Sequence, residues 1–471
     1  MFNFVLENHK YSHVHFIGIG GISMSGLAEI LLNKGYKVSG TDTKYNPIIQ
    51  RLENLGAKIY INHNKNNILG ADLIIYTDAI SPDNEELLAA FESGIDTTDR
   101  ATFLGALMKN YPYSIAVSGT HGKTTTTSMI ATITNHGVLD PTVLLGGELD
   151  DIGGNVKLGS DKYILTEACE YKANILKYFP TTAIILNIDE DHLDYFKDMD
   201  HIIDTFVQYG KNLGEDSNLI INADDPHSHN VVEATKANVI TFGINNDCDF
   251  KAENIVFSDD GYPSFTLNIK NKEHYKVELH VMGKHNIYNS LACIATAYLH
   301  GVSMSDIITH LSLYTGVHRR LELKGYINGV KIIDDYAHHP TEIQATLSAI
   351  NNSSSGKVYC IFQPHTFTRT KILLDSFSES FKYADQAIIT DIYAAREFDN
   401  GDIHSKDLVN AVNNKSGNAI YLETFEKAEE YLLNSIKDGD IVVTMGAGNV
   451  YLIGESILKQ NRQENKEKAA V

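Results

Sequence analysis

The sequence predicts an α/β fold of three domains, each built on a mostly parallel sheet with helices on its faces. Three observations carry this expectation. Apolar strand-like runs alternate with helical patterns along the chain, the signature of doubly wound sheets. Two runs pass into glycine turns that open a helix: His13-Val-His-Phe-Ile17 into Gly18-Ile-Gly-Gly21, and Ser114-Ile-Ala-Val117 into Gly119-Thr-His-Gly-Lys-Thr-Thr125. The length, 471 residues, exceeds one comfortable core at roughly 150 residues per domain.

The first segment, 1–111, continues from its glycine turn through a helical pattern to a second strand, Tyr36-Lys-Val-Ser-Gly-Thr-Asp42. A third strand, Leu73-Ile-Ile-Tyr76, ends at Thr77-Asp-Ala-Ile-Ser81. Strand, glycine turn, helix and strand make this segment Rossmann-like, with ligands expected at the carboxyl ends of its strands. Gly18, Gly20 and Gly21, with Ser23 at the third small position and Asp42 closing the next strand, suit a nucleotide-like diphosphate. NAD, FAD and a UDP-sugar fit equally, because the glycines read the diphosphate and not the base.

The second segment, 112–322, carries the phosphate loop of a central P-loop ATPase-type α/β domain. The strict Walker spacing wants glycine where Val117 stands, so the match is to the shorter Gly-x-x-Gly-Lys-Thr form. Backbone N–H groups from Gly119, Thr120, His121, Gly122 and Thr125 face an anion at a helix N-terminus. Lys123 reaches the outer phosphates, and the Thr124 hydroxyl holds Mg2+. Two further strands, Tyr163-Ile-Leu-Thr166 and Ala183-Ile-Ile-Leu-Asn187, end in Glu167 and in Asp189-Glu-Asp-His192, acids of the kind that ligate Mg2+. His192 would not be chosen on residue chemistry alone, since hard Mg2+ prefers oxygen. Alternating patterns over 247–280 predict a small antiparallel excursion.

The third segment, 323–471, has strand runs at Lys331-Ile-Ile-Asp334, Val358-Tyr-Cys-Ile-Phe362, Ala387-Ile-Ile-Thr390 and Ile441-Val-Val-Thr444, again a Rossmann-like pattern, and its last twelve residues read as a frayed polar tail. A net charge of -21 argues against a nucleic-acid surface. Cys169, Cys248, Cys293 and Cys360 form no CxxC pair, which disfavours a disulfide framework or a zinc site and suits a reducing compartment. The N-terminus lacks a secretory pattern, and no uncharged apolar run approaches the ~18 residues of a membrane span, so a soluble cytoplasmic protein without membrane insertion is expected.

Taken in order, His15-x-x-Gly18-Ile-Gly-Gly21, Gly119-Thr-His-Gly-Lys-Thr124, Glu167-Ala-Cys-Glu170, Asn187-Ile-Asp-Glu-Asp-His192, Asn222-Ala-Asp-Asp-Pro226, Gly283-Lys-His-Asn-Ile-Tyr-Asn289, His318-Arg-Arg320, Asp334-Asp-Tyr-Ala-His-His-Pro340 and Gln363-Pro-His-Thr-Phe-Thr-Arg369 resemble the Mur ligases of peptidoglycan synthesis. The resemblance runs from His15 to about Asn449, nearly the whole chain. It implies a first domain for a UDP-sugar, a central domain for ATP and a third for an amino acid. It further implies His15, Gly18, Gly20, Gly21, Ser23, Asp42, Ala79, Ile80, Ser81 and Asn187 on the sugar nucleotide. Gly119 through Thr125, with Asn286, Asn289, Arg320 and Asp335, are implied on ATP, and Thr124, Glu167 and His192 on Mg2+. Tyr336, His338 and Arg369 are implied near the amino acid and the reacting carboxyl, with His338 as the expected base because an ordinary histidine titrates near neutrality.

Within the family, the resemblance favours the branch that joins L-alanine to UDP-N-acetylmuramate with ATP, as a monomer or homodimer. A sibling attaching a recycled peptide to the same sugar is the alternative. Three departures bear on this: Ser23 stands for a more usual glycine, Thr366 for an arginine found in some members, and Asp204-Thr-Phe-Val-Gln208 lacks the metal-bridging lysine of later-acting relatives.

Overall fold

The computed structural model describes residues 2–469, apart from 8, 9, 136, 138 and 396. The architecture is three-domain α/β, with three sheets. By compactness the chain divides into two units: 1–189, 200–249 and 292–310 in the first, and 190–199, 250–291 and 311–471 in the second.

In the first unit, a five-stranded parallel sheet runs Lys58–Ile61, Lys37–Asp42, His13–Ile17, Leu73–Tyr76, Asp96–Asp99. Its central strands are buried on both faces, which is why they read as unbroken apolar runs. The chain leaves His13–Ile17 toward Lys37–Asp42 on one side and later returns to Leu73–Tyr76 on the other. Between these strands lies the topological switch point, and the 18–21 turn and the 77–81 loop flank its crevice.

The phosphate-loop sheet continues the same unit, in the order Asn238–Gly243, Asn218–Asn222, Thr182–Ile185, Tyr113–Ser118, Ser160–Glu167, Pro141–Leu149, Gly154–Lys157. All neighbours here are parallel except the final hairpin. Register fixes the site: Val117 pairs with Glu167 on one side, and Ser118 with Ile185 on the other. The acid is thereby set level with the start of the loop. The helix Lys123–Asn135 follows, and it buries ten of its residues.

The five-stranded sheet and the phosphate-loop sheet of this unit are joined at close quarters. The helix Ile22–Asn33 presses Gly26 on the hairpin, where an added Cβ would meet Leu144 Cδ2 at 2.6 Å and Val156 Cγ2 at 2.8 Å. The helix Arg100–Met108 lies so close to the turn Tyr171–Lys177 that a Cβ on Gly105 would stand 2.0 Å from the Lys177 carbonyl. Lys177 also pairs with Asp99 at 2.8 Å, and Asn174 Nδ2 donates to Asp78 at 2.9 Å.

The second unit holds a six-stranded sheet in the order Glu322–Ile327, Val330–Asp335, Ile441–Met445, Val358–Phe362, Gln386–Ile389, Ala419–Tyr421, parallel but for the opening hairpin. Strand alternation sorts its side chains into two cores. Ile333, Cys360, Phe362 and Val443 pack with Ile343, Leu347 and Leu408 on one face, while Ile332, Tyr359, Ile361 and Val442 pack with Leu432, Ile453 and Ile457 on the other. The expected excursion is an antiparallel meander of Phe250–Phe257, Pro263–Ile269 and Glu273–Glu278. The polar C-terminal stretch, expected to fray, continues the helix Tyr451–Ala469. Among the described residues no helix is long and apolar enough to cross a membrane.

Because the Gly105 contact is with backbone, it cannot relax by a rotamer change. Gly105→Ala is expected to destabilise the protein by about 1–3 kcal/mol. A depressed unfolding midpoint in thermal or urea melts would show this, and an unchanged midpoint would mean that the two elements part freely.

Candidate active site

The phosphate loop of the first unit is held from below by one side chain. Asn187 Oδ1 accepts the His121 N–H at 2.8 Å, and Asn187 Nδ2 donates to the His121 carbonyl at 3.0 Å. The Asn187 carbonyl also accepts the Thr120 N–H at 3.2 Å, the Thr120 hydroxyl accepts the Asp189 N–H at 2.9 Å, and His121 Nε2 meets Asp189 Oδ2 at 2.9 Å. Gly119, at φ +127°, is needed because a Cβ there would lie 3.1 Å from the Asn187 backbone. These bonds take up the Thr120 and His121 N–H groups, both expected to face an anion, and fix the loop while the first N–H groups of the following helix, which have no intrahelical partner, are left for phosphate.

Asn187, which the resemblance implies on the sugar nucleotide, lies under the phosphate loop. Both ends of its amide are committed to the loop backbone.

Lys123 lies in this loop with its ammonium on the Gly119 carbonyl at 2.6 Å, the Thr120 carbonyl at 2.9 Å and Glu170 at 3.0 Å. Burial pulls its pKa down, but Glu170 and its neighbours outweigh that and hold it above the ordinary lysine value. Glu170 is 2% exposed. It stood in a quoted motif without a role, because sequence spacing does not reveal that it faces Lys123. Glu167 spends Oε1 on the Gly146 N–H at 2.7 Å. Thr124 is buried in the first turn of the helix. A hydroxyl and a carboxylate are hard oxygen donors, so this pair fits Mg2+ by chemistry.

At the sheet's switch point the Gly18 and Ile19 N–H groups donate to the Thr41 carbonyl at 2.8 and 3.0 Å, and Asp42 Oδ2 accepts the Gly20 N–H at 2.9 Å. Gly18, at φ +86°, admits no Cβ, since Thr77 Cγ2 would lie 2.7 Å away. Ile80 is the next nearest side chain to that position, Ala79 and Ser81 are exposed beside it, and Gly21 caps a helix that has no side-chain cap. Ser23 accepts from Arg100 Nη1 at 3.2 Å. Arg100 had no signal in the sequence, being a single cation at a helix start far from the turn.

His15, which the resemblance implies on the sugar nucleotide, is fully buried behind this turn, with Nε2 on Glu86 at 2.8 Å and Nδ1 on Ser39 at 2.8 Å. Glu86 also accepts from Thr41 at 2.6 Å and His63 at 2.8 Å. Its pKa is raised by burial but lowered further by His15 and Thr41, ending below the usual carboxylate value. Through Thr41 this network sets the glycine turn from behind.

The remaining expected residues lie in the second unit. Tyr336 packs under two guanidinium groups, Arg319 at 4.9 Å and Arg320 at 5.0 Å from its ring centre. Asp335 is committed to backbone, accepting from Leu321 at 2.8 Å and Ala337 at 2.7 Å, and burial pushes it up to about 6. These bonds hold the turn where Arg319 and Leu321 take positive φ. Asn289 donates to Asn286 at 2.9 Å, and Asn286 donates to the Met282 carbonyl at 2.7 Å, so the two form one buried amide pair. Arg369 donates to Asp191 at 3.1 Å and meets His365 at 3.1 Å. Burial would raise Asp191, but His192 and Arg369 outweigh it and hold the carboxyl far below its usual range. His192 adopts φ 56° beside it.

His338 departs from expectation in its protonation. Burial pushes it down to about 4, partly opposed by Glu342, so it is neutral at pH 7 and a weak base. Nδ1 bonds the Tyr336 carbonyl at 3.0 Å, which leaves Nε2 as an acceptor.

A clamped phosphate loop with oxygen donors beside it, on three α/β sheets, defines a nucleotide-using, phosphoryl-handling enzyme. Residues 13–112 match the Mur ligase family catalytic domain, 117–297 the Mur ligase middle domain and 319–448 the Mur ligase glutamate ligase domain. A UDP-N-acetylmuramate–L-alanine ligase of Acetivibrio thermocellus is 50% identical over 97% of this chain and 98% of its own length. One from Caldanaerobacter subterraneus is 47% identical over 97% and 100%. The crystal structure of a UDP-N-acetylmuramate-alanine ligase from Thermotoga maritima superposes with a TM-score of 0.81 at 26% identity, covering 96% of this chain and 99% of that one. A murein peptide ligase from Psychrobacter arcticus gives 0.73 at 28%, covering 96% and 98%. The chain belongs to the Mur ligase family.

Two outcomes follow from this geometry. Asn187→Ala should raise the KM for ATP by roughly tenfold or more while leaving the KM for the sugar nucleotide within about twofold, because it frees the loop and not the 18–21 turn. Steady-state kinetics with each substrate varied would check it. Stability should also fall as pH falls from about 6.5 toward 4. Burial holds His285, His300 and His338 near 4, so the unfolded chain binds their three protons first, while Asp335, pushed up to about 6, retains one in the folded state. The unfolded state thus binds more protons throughout that window. Urea midpoints measured at pH 7 and pH 4.5 give the test.

Proposed function

We propose that this chain joins L-alanine to the lactyl carboxylate of UDP-N-acetylmuramate, converting ATP to ADP and phosphate, in the cytoplasmic assembly of peptidoglycan precursor. The observation that carries it is the clamped Lys123 loop beside Glu167, in a chain 47–50% identical, over nearly its whole length, to ligases of that name. The alanine ligases at 47–50% identity over nearly the whole chain favour alanine over a recycled peptide.

A carboxylate resists amine attack because it is anionic and would expel oxide. The sugar's carboxylate oxygen therefore first takes the γ-phosphoryl of ATP, with the P–O bond to ADP breaking as the new one forms. Lys123 leaves Glu170 to neutralise the phosphoryl oxygens, a matter of positioning and electrostatics. Thr124 and Glu167 would hold Mg2+, which when bound supplies further neutralisation of phosphate charge. The amine then attacks the acyl carbon and phosphate departs with the C–O electron pair. His338 Nε2, kept neutral by burial, accepts a hydrogen bond from the attacking amine and so aligns its lone pair. The proton passes to water.

Phosphate release should require UDP-N-acetylmuramate and L-alanine together. With 18O in the sugar carboxylate, one label should appear in the released phosphate; label retained wholly in the sugar product, or AMP among the products, would sink the acyl-phosphate route. Lys123→Ala should lower kcat by at least about 100-fold while sugar-nucleotide binding persists.

A further inference from the structure

We infer that Glu342 is a positioning residue that orients the ATP-side guanidinium of Arg320 and the amine-side imidazole of His338 from a single carboxylate. This deepens the ligase reading above and rests on it. Glu342 lies in the first turn of the helix Pro340–Asn351, where the helix N-terminus favours an anion. Oε2 accepts the His338 backbone N–H at 3.2 Å and stands 3.4 Å from His338 Nδ1. Oε1 faces Arg320 Nη1 at 3.9 Å. The carboxylate is 16% exposed, so these charges act through little water.

Capping the helix entry would occupy only one oxygen. The second is turned to Arg320, whose guanidinium already lies over the Tyr336 ring. Ring stacking holds the plane of a guanidinium but leaves it free to slide and rotate within that plane, and a carboxylate at one edge removes this freedom. On the other side, Glu342 and the Tyr336 carbonyl both face His338 Nδ1, so the proton stays on that nitrogen and Nε2 stays an acceptor. Losing the charge while keeping the shape should loosen both groups together.

Glu342→Gln preserves an acceptor for the His338 N–H and thereby the cap. It should raise the KM for ATP and the KM for alanine by roughly tenfold each, leave the KM for UDP-N-acetylmuramate within about twofold, and spare the melting temperature; Glu342→Asp, which retains the charge, should recover part of both losses. ATP affinity of the whole enzyme, measured by calorimetry without the other substrates, should weaken in parallel in Glu342→Gln. The inference is overturned if both KM values in Glu342→Gln stay within about twofold of the parent, or if all three rise alike with a lowered melting temperature. If the parent enzyme fails to turn over with alanine, the ligase reading falls instead, while the calorimetric comparison still decides the Arg320 half.

Discussion

The Asn187 amide grips His121 by its backbone N–H at 2.8 Å and its carbonyl at 3.0 Å, and on that pair of bonds the phosphate loop depends. The clamp takes the Thr120 and His121 N–H groups and leaves for an anion those at the helix start, which have no ladder partner. The conformation has to be imposed from outside. Parallel pairing of Tyr113–Ser118 with Thr182–Ile185 brings Asn187 under the loop, and the Gly119 backbone fits because it carries no side chain to strike Asn187. Register, glycine and amide thus act as one constraint, and Glu167 reaches its place beside Val117 by the same register on the opposite strand.

Charge follows a second common logic in both units: two of the cations expected at the site are each paired with a buried acid. Lys123 lies on Glu170 and Arg369 on Asp191, and the carboxylates are 3% and 9% exposed. Pairs of this kind add little net stability, since desolvation consumes much of the Coulombic gain, but removing one partner strands the other. Their worth is orientation. A lysine held on carbonyls and a carboxylate is desolvated before any phosphate arrives, so less reorganisation remains when charge develops. The His15–Glu86–His63 network does for the glycine turn what Glu170 does for the loop, from behind and without touching a ligand.

Histidines divide along the same line. His338 and His285 are driven to about 4 by burial and serve as neutral imidazoles, whereas a solvent-exposed histidine would be a proton carrier near neutrality. The sequence-based choice of His338 as a base used the ordinary value, and the enclosing packing removed the reason for it. Asp335 moves the opposite way for the same cause.

Much of this protein was legible in the chain alone. Doubly buried strands announce themselves as apolar runs, and the runs at Leu73, Val358 and Ile441 begin where the strands begin. The polar strand Asp96–Asp99 and the glycine-bearing strand Glu322–Ile327 escaped, because edge strands need no apolar pattern. Gly18, Gly119, Lys123 and Thr124 were nameable because a phosphate turn is a local device whose parts lie within a few residues of one another. Asn187, Glu170, Glu86, Arg100 and Glu342 act on residues 22 to 77 positions away or across a helix entry, and residue type says nothing about what such a side chain will face. The sequence by itself determined which residues could meet phosphate. Tertiary packing decided which side chains hold those residues still, because partner and burial are set by register and close contact between distant segments.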